Sequence, residues 1–128
     1  MRILVMDDNS DIRVLLVSVL QRAEFEVIEA ADGTTVAAWV EDANPDVIIL
    51  DLMMPGMDGW ETLEQLKSNT ASKHIPVIIS SALRDEEDFE KARRMGAVDY
   101  MPKPWSADDL VARIRKAVTV GKSKREAA

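Results

Sequence analysis

Carboxylates follow two of the short apolar runs in this chain. Asp7-Asp8 come directly after Ile3–Met6, and Asp51 comes directly after Val47–Leu50. If the two runs are neighbouring parallel strands, the three carboxylates share one sheet edge, where like charges repel. A hard dication relieves that repulsion, and few carboxylates with retained waters suit Mg²⁺ better than Ca²⁺. The sequence therefore predicts a magnesium site at Asp7, Asp8 and Asp51. For a single aspartate, capping of the next helix is the alternative.

Two further groups complement the acidic cluster. Ser80-Ser81 follow the run Val77–Ile79, and Lys103 follows the last run within Met101-Pro102-Lys103-Pro104. A lysine held there could offer its ammonium to an anionic ligand as a point charge, although a surface lysine is the alternative. Three acids, a hydroxyl and a lysine match the needs of phosphoryl transfer onto a carboxylate, which attacks in line.

Alternating elements must position these groups. Five short apolar runs are separated by amphipathic stretches; the runs are Ile3–Met6, Phe25–Glu29, Val47–Leu50, Val77–Ile79 and Val98–Met101. Such alternation predicts an α/β fold, with a parallel sheet and helices on both faces. Runs one, three and four are continuously apolar, as central strands are, whereas Glu26, Glu29 and Asp99 place runs two and five at the edges. We expect a flavodoxin-like (βα)5 doubly wound sheet of order 2-1-3-4-5, with ligands at the switch point between strands one and three.

Several residues mark where the helices begin, end and pack. Asn9 or Ser10 could cap the first helix, which would leave Asp7 and Asp8 free. Asp58 is the expected N-cap of the helix that contains Trp60. Trp39 and Trp60 lie on helical segments and are expected to be packing residues.

Composition narrows the classes of partner. The chain has 128 residues, a net charge of −7 and no cysteine. Its length predicts one domain, expected over residues 1–120, with 121–128 as a short, basic, disordered tail. The negative charge argues against direct nucleic-acid binding. No apolar run approaches the roughly 20 residues that cross a bilayer, so we expect no membrane contact. The absence of cysteine fits a reducing cytoplasm, which is the expected location.

Four segments, each at a predicted strand end, make the sequence resemble a known family. They are Val5-Met6-Asp7-Asp8-Asn9, Asp51-Leu52-Met53-Met54-Pro55-Gly56-Met57-Asp58-Gly59, Ser81-Ala82 and Lys103-Pro104-Trp105. Any one of them would be weak, but all four in this order resemble the receiver domain of two-component response regulators, in its CheY-like form. The resemblance covers about residues 1 to 120.

The resemblance implies roles at the acidic end of the site. Asp51 would be the phosphoacceptor. Asp8 would bind Mg²⁺ directly, Asp7 would act mainly through water, and the backbone carbonyl of Met53 would complete the protein's share of the coordination.

It also implies roles on the other side. Ser81, rather than Ser80, would be the switch hydroxyl, and Tyr100 the aromatic switch. Lys103 would contact a phosphoryl oxygen, next to a cis bond to Pro104. The family often has threonine at the Ser81 position, and more usually phenylalanine where this chain has Trp105; neither difference removes a required chemical group.

The implied function is a phosphoacceptor switch in a phosphorelay. A sensor histidine kinase or phosphotransfer protein would donate the phosphoryl group in a Mg²⁺-dependent reaction. The face formed by helix four, strand five and helix five would then change and control a downstream effector protein. The chain would not be an enzyme, apart from slow self-dephosphorylation. We expect a monomer; dimerisation on phosphorylation, the cognate kinase and whether the chain is full length are left open.

Three rival functions fit the residues less well. An aspartyl phosphatase would need its second aspartate two residues after the nucleophile, whereas Asp7 and Asp8 are adjacent and Asn9 follows. In a flavodoxin, Asp7-Asp8 would repel the flavin phosphate. A pseudo-receiver that only binds partners would not need all the pocket residues.

Overall fold

The computed structural model describes residues 1–30, 40, 44–53 and 58–127. Within them, five parallel strands form one sheet: β1 (Arg2–Met6), β2 (Glu26–Ala30), β3 (Val47–Leu50), β4 (Val77–Ser81) and β5 (Asp99–Pro102). The strand order is β2-β1-β3-β4-β5. The predicted fold class and strand order are therefore confirmed.

Burial along the strands follows the predicted division into centre and edge. β3 and β4 are buried at every position, and β1 at every position after Arg2. In contrast, β2 and β5 are each buried at one position only, because each has a neighbouring strand on one side. Helices cover both faces of the central strands, which explains their continuously apolar sequences.

The observed strand ends differ slightly from the predicted ones. The main difference is that β4 continues two residues past Ile79, because Ser80 and Ser81 pair with Met101 and Pro102 of β5. The two serines are therefore strand residues with fixed side-chain directions.

Four helices are described: α1 (Ser10–Arg22), α2 (Gly59–Ser68), α3 (Glu86–Arg94) and α4 (Ala107–Ala127). Asn9 caps α1, since its side chain accepts from the Ile12 N–H at 3.1 Å. Asp58 caps α2 by accepting from the Glu61 N–H at 2.9 Å, as predicted. Because Asn9 is the cap of α1, Asp7 and Asp8 are available for another role.

Successive residues of the strands contribute to different cores because side chains alternate between the faces of the sheet. Leu4 and Met6 of β1 belong to the core that also contains Leu63, Leu66 and Ala92 of α2 and α3. Ile3 and Val5 belong to the other core, with Leu16, Leu20, Leu110 and Ile114 of α1 and α4. Trp60 packs against the first core, which confirms its packing role; Trp39 lies outside the described residues.

The last helix is longer than the sequence suggests. α4 extends through Gly121 to Ala127, whereas a disordered tail is expected from Gly121 onwards. The residues beyond that glycine are mostly lysine, arginine, glutamate and alanine, which are good helix formers. The domain limit at residue 120 stays a prediction. In the part of the chain that the structure describes, no helix combines the length and apolar character needed to cross a membrane.

Candidate functional site

The acidic residues meet because their strands are paired in register. Met6 of β1 is the Cα partner of Leu50 of β3, and the Asp51 N–H donates to the Met6 carbonyl at 2.9 Å. Asp7 and Asp51 are therefore the next residues on two adjacent strands. Sheet pairing alone brings their side chains to the same edge, at the predicted switch point.

Three carboxylates converge there. Asp7, Asp8 and Asp51 can each present one oxygen so that these atoms all lie within 4.8 Å of one another. Asp7 and Asp51 are buried, with 2% and 5% of their surface exposed, whereas Asp8 is exposed. The predicted acidic cluster is thus present, with two buried members and one that faces solvent.

The two buried aspartates are held in the same way. Oδ1 of Asp7 accepts from the Asn9 N–H at 2.9 Å, and Oδ1 of Asp51 accepts from the Met53 N–H at 3.1 Å. In both cases the donor is two residues further along the chain, as in an Asx turn. Each aspartate therefore fixes one oxygen against its own loop and directs the other into the site.

Lys103 lies between those remaining oxygens. Its Nζ donates to Asp7 Oδ2 at 3.0 Å and to Asp51 Oδ2 at 3.4 Å. The Lys103 N–H donates to the Ser81 carbonyl at 2.8 Å, which attaches the segment after β5 to the end of β4. The Lys103–Pro104 bond is cis, as predicted. The alternative of an ordinary surface lysine is therefore excluded.

Burial and charge act together on Asp51. Burial raises the pKa of Asp51 above its usual value, and the nearby Asp7 charge raises it further, against the opposing effects of the Met53 N–H and of Lys103. In this group of four residues, three carboxylates face one ammonium. An oxygen-ligated cation would relieve that excess negative charge, and the donor set suits a hard ion such as Mg²⁺.

A glycine allows the next helix to approach the acceptor residue. Gly59, the first residue of α2, donates its N–H to the Leu52 carbonyl at 2.9 Å. A Cβ added at Gly59 would collide with the Asp51 carbonyl oxygen and the Leu52 Cα. The start of α2 therefore packs directly against the backbone of Asp51, where only glycine fits.

The hydroxyl of Ser81 and the ring of Tyr100 are connected through the backbone of Leu83. The Leu83 N–H donates to Ser81 Oγ at 3.2 Å, and the Tyr100 hydroxyl donates to the Leu83 carbonyl at 2.9 Å. The ring of Tyr100 lies 4.5 Å from that of Phe89, centroid to centroid. Burial raises the pKa of Tyr100, and the negative charges of Asp88 and Asp51 raise it further, against the opposing effect of a side-chain hydrogen bond with Ser81. Tyr100 is therefore a neutral hydrogen-bond donor at physiological pH.

Some contributors to the site were missed by sequence reasoning. Leu83 has no polar side chain, so nothing in the sequence indicates that its backbone N–H and carbonyl bind Ser81 and Tyr100. Arg13 was also missed; one of its guanidinium nitrogens donates to the Asp7 carbonyl at 2.6 Å, and its Nε lies 3.6 Å from a Glu29 oxygen. Its only signal is its position, one turn after the cap Asn9, near the loop that carries the aspartates.

The fold and the site together define a class of protein: a doubly wound α/β domain with an acidic pocket and a lysine at its switch point. A family model described as "Response regulator receiver domain" matches residues 3–115. The chain therefore belongs to the response regulator receiver domain family, whose members are signalling switches of two-component systems. Residues 54–57 of the motif that begins at Asp51, including Met54 and Met57, lie outside the described residues.

Similar proteins include both short and long chains. The phosphate regulon transcriptional regulatory protein PhoB of Escherichia coli (strain K12) is 38% identical over 114 residues, which are 89% of this chain and 50% of PhoB. Protein PilG of Pseudomonas aeruginosa is 35% identical over 118 residues, 92% of this chain and 87% of PilG. The chain thus spans about half the length of its PhoB relatives.

Solved structures support the same assignment. The receiver domain of the Francisella response regulator 1452 superposes with a TM-score of 0.85 at 31% identity, covering 92% of this chain and 96% of that one. The likeness therefore extends over nearly the whole of a separately solved receiver domain.

Proposed function

We propose that this protein is a phosphoacceptor switch in which Asp51 receives a phosphoryl group in a Mg²⁺-dependent reaction. The observation that carries this proposal is the position of the Lys103 ammonium, 3.0 Å from Asp7 and 3.4 Å from Asp51, in a cluster with a third carboxylate. A buried carboxylate beside a cation and further acidic ligands has the parts that phosphoryl transfer requires.

The metal would be held by the acidic cluster. Asp8, which is exposed, would bind the ion directly, Asp7 would act mainly through water, and Asp51 and the Met53 backbone carbonyl would complete the site. Bound there, Mg²⁺ would neutralise charge on the phosphoryl oxygens. The carboxylates would keep their positions during this step, because Asp7 and Asp51 each have one oxygen fixed by a backbone N–H.

The chain's own residues would carry the transfer. An oxygen of Asp51 would attack phosphorus in line, as the bond from phosphorus to the imidazole nitrogen of the donor histidine breaks. Lys103 would move its ammonium from Asp51 Oδ2 to an oxygen of the transferred group, and its contact with Asp7 would keep it in the site. Hydrolysis of the acyl phosphate by water would later return Asp51 to its unmodified form, slowly.

The response would pass through Ser81 and Tyr100. Phosphorylation adds roughly −1.5 to −2 of charge and new acceptor oxygens. The Ser81 hydroxyl now accepts from Leu83; it would turn to donate to the phosphoryl group, and Leu83 and Tyr100 would shift in consequence. The face formed by α3, β5 and α4, which corresponds to helix four, strand five and helix five of the sequence prediction, would then change shape.

The energies involved are sufficient for such a switch. Moving a two-state equilibrium from 1:99 to 99:1 needs about 5.5 kcal/mol of differential interaction. A hydrogen bond to a charged group contributes about 1.5–3 kcal/mol, so about two new bonds to the phosphoryl oxygens at the upper end of that range, or about four at the lower end, would be enough.

The partners proposed are a sensor histidine kinase or phosphotransfer protein and a downstream effector protein, in the cytoplasm. Membership of the response regulator family supports this pairing.

Mass spectrometry tests the proposal. Incubation with Mg²⁺ and acetyl phosphate should add the mass of one phosphoryl group, and EDTA should prevent the addition. Asp51→Asn should abolish the adduct, whereas Asp108→Asn, an exposed aspartate in the first turn of α4, should leave it intact. An adduct that persists in Asp51→Asn, or that forms equally well without the metal, would refute the proposed function.

A further inference from the structure

Ser80 is a buried hydroxyl that the proposed reaction does not use. Only 1% of its surface is exposed, and its Oγ accepts a hydrogen bond from Trp105 Nε1 at 3.2 Å. Ser80 and Ser81 are consecutive strand residues, so their side chains point to opposite faces of the sheet. Ser81 therefore lies on the side of Leu83 and Tyr100, while Ser80 lies on the side of the core between the sheet and α1 and α4.

Trp105 belongs to that same core. Its half-buried ring packs against the cluster that includes Ile78, Met101 and Leu110. It is also two residues after Lys103, so the indole attaches the segment that follows β5 to the penultimate residue of β4. A hydrogen bond is directional, so it specifies one position for this segment more narrowly than apolar packing does.

The segment has two other attachments to the same part of the chain. The Lys103 N–H donates to the Ser81 carbonyl at 2.8 Å, and an Arg84 guanidinium nitrogen donates to the Lys103 carbonyl at 3.3 Å. Residues 80–84 thus hold the N–H and the carbonyl of Lys103 and, two residues later, the indole of Trp105. Of the three attachments, the part-buried Trp105 bond is the one made between two side chains.

We propose that Trp105 is a positioning residue for Lys103: its hydrogen bond to Ser80 sets the place of the ammonium between Asp7 and Asp51. The functional consequence rests on the proposed phosphoacceptor role, in which Lys103 must reach a phosphoryl oxygen. Small displacements of a positioned group lower reaction rates strongly, since the reacting geometry is narrow.

The chemistry distinguishes this role from packing alone. Phenylalanine at position 105 would keep an aromatic ring but lose the N–H donor. Ser80 Oγ would then be left in an apolar cluster without that partner, which is unfavourable for a buried polar group. Valine at position 80 would make an apolar pair with phenylalanine, which removes the unsatisfied group but does not restore the directional bond.

Five variants test the proposal: Trp105→Phe, Ser80→Ala, Lys103→Ala, the double variant of Trp105→Phe with Lys103→Ala, and the control Trp60→Phe. The control is a tryptophan on α2 whose ring centroid lies 4.2 Å from Lys91 Nζ, and it packs against the first core, whereas Trp105 packs against the other one. Two measurements are made on each: the rate of Mg²⁺-dependent phosphorylation by acetyl phosphate, and a crystal structure of the unmodified protein.

We expect Trp105→Phe and Ser80→Ala to slow phosphorylation about three- to tenfold, the range that follows from losing one neutral hydrogen bond. Trp60→Phe should leave the rate unchanged. In the Lys103→Ala background, Trp105→Phe should have no further effect, because Trp105 acts through that lysine. The crystal structure of Trp105→Phe should show Lys103 Nζ displaced from Asp51 Oδ2.

Each of three outcomes would overturn the inference. Trp105→Phe could leave the phosphorylation rate unchanged, or could slow it equally in the presence and absence of the Lys103 side chain. The third outcome is a crystal structure of Trp105→Phe in which the Lys103 ammonium is not displaced. Ser80→Ala removes the hydroxyl that accepts from Trp105, with a smaller change of side-chain volume. If Trp105→Phe does not fold, the phosphorylation rate and the position of Lys103 Nζ are measured in Ser80→Ala instead. If the wild-type protein accepts no phosphoryl group at all, the proposed function fails; the crystallographic position of Lys103 still decides whether Trp105 sets it.

Discussion

The two sides of the site are built by different means. On the acidic side, Asp7 and Asp51 follow paired strands, and each has one oxygen fixed by an N–H two residues further along the chain. On the other side, Ser81 Oγ also accepts from an N–H two residues further on, but the two aromatic residues are held by contacts between residues far apart in sequence: Tyr100 to Leu83, 17 residues away, and Trp105 to Ser80, 25 residues away. The acidic side is thus set by register and local turns, whereas the aromatic residues of the other side are set by long-range contacts.

This difference matches two different functional requirements, one for the acidic side and one for the side of Ser81 and Tyr100. A group that binds a metal and accepts phosphate benefits from rigid positions, because the required geometry is the same in every cycle. A switch needs a part that can adopt two arrangements. Side-chain hydrogen bonds can change partners more easily than paired strands can, so they suit such a part. Lys103 connects the two sides, since its ammonium contacts the aspartates and its backbone is attached to β4.

Removing that connection should give the largest effect short of losing Asp51 itself. Among the described residues, Lys103→Ala takes away the one cation that forms an ion pair within 4 Å with the carboxylates of both Asp7 and Asp51. We expect Mg²⁺-dependent phosphorylation by acetyl phosphate to slow about 100-fold, as on removal of one preorganised charge-stabilising group.

The matched control for Lys103→Ala is Lys116→Ala, an exposed lysine on α4, which should phosphorylate at the wild-type rate. For a preorganised charge-stabilising group, removal is expected to slow the reaction about 100-fold. If Lys103→Ala slows phosphorylation less than about threefold, the ammonium does not act on the transferred group.

The acidic side makes a separate prediction about metal-free protein. Because burial and the Asp7 charge raise the pKa of Asp51, the folded protein binds the proton of the Asp51 carboxyl group more tightly than the unfolded chain does. The free energy of unfolding should therefore fall as pH rises from the ordinary aspartate pKa of 3.8 through the raised pKa of Asp51. Above the raised pKa, the effect of Asp51 on the free energy of unfolding no longer changes with pH. Asp51→Asn removes the charge, so its stability relative to wild type should increase over this window.

Urea unfolding in EDTA at a series of pH values measures this difference. At pH 7 we expect Asp51→Asn to be the more stable protein by about 1–3 kcal/mol, the scale of an imperfectly compensated buried polar group. Asp108→Asn, in exposed helix, should follow the wild-type curve. If the advantage of Asp51→Asn shrinks with rising pH, the carboxylate is stabilised by its surroundings and the charge argument is wrong.

The same contrast explains what could be read from the sequence. Asp7, Asp51 and Lys103 were identified because each comes directly after a strand, and the apolar runs that define the strands are plain. The roles of Leu83 and Arg13 could not be found, because they depend on contacts that only the folded chain creates. Ser80-Ser81 were predicted to follow β4 because they are polar; pairing with β5 makes them part of it.

The smallest predicted effect concerns the switch side alone. Tyr100→Phe keeps the ring beside Phe89 and removes only the hydroxyl that donates to the Leu83 carbonyl at 2.9 Å. The free energy of unfolding, measured with urea at pH 7, should fall by about 0.5–1.5 kcal/mol, the net contribution of one such bond. The phosphorylation rate should stay within about twofold of wild type, which is less than the loss of one hydrogen bond would cause. The reason is that the acidic side is assembled without Tyr100.

Phe89→Leu is a useful comparison, because it alters the ring contact and leaves the Tyr100 hydroxyl in place. If Tyr100→Phe slowed phosphorylation as much as Lys103→Ala does, the two sides would not be separable. The aromatic residue would then have to be counted with the groups that assemble the acceptor site, rather than with those that respond to it.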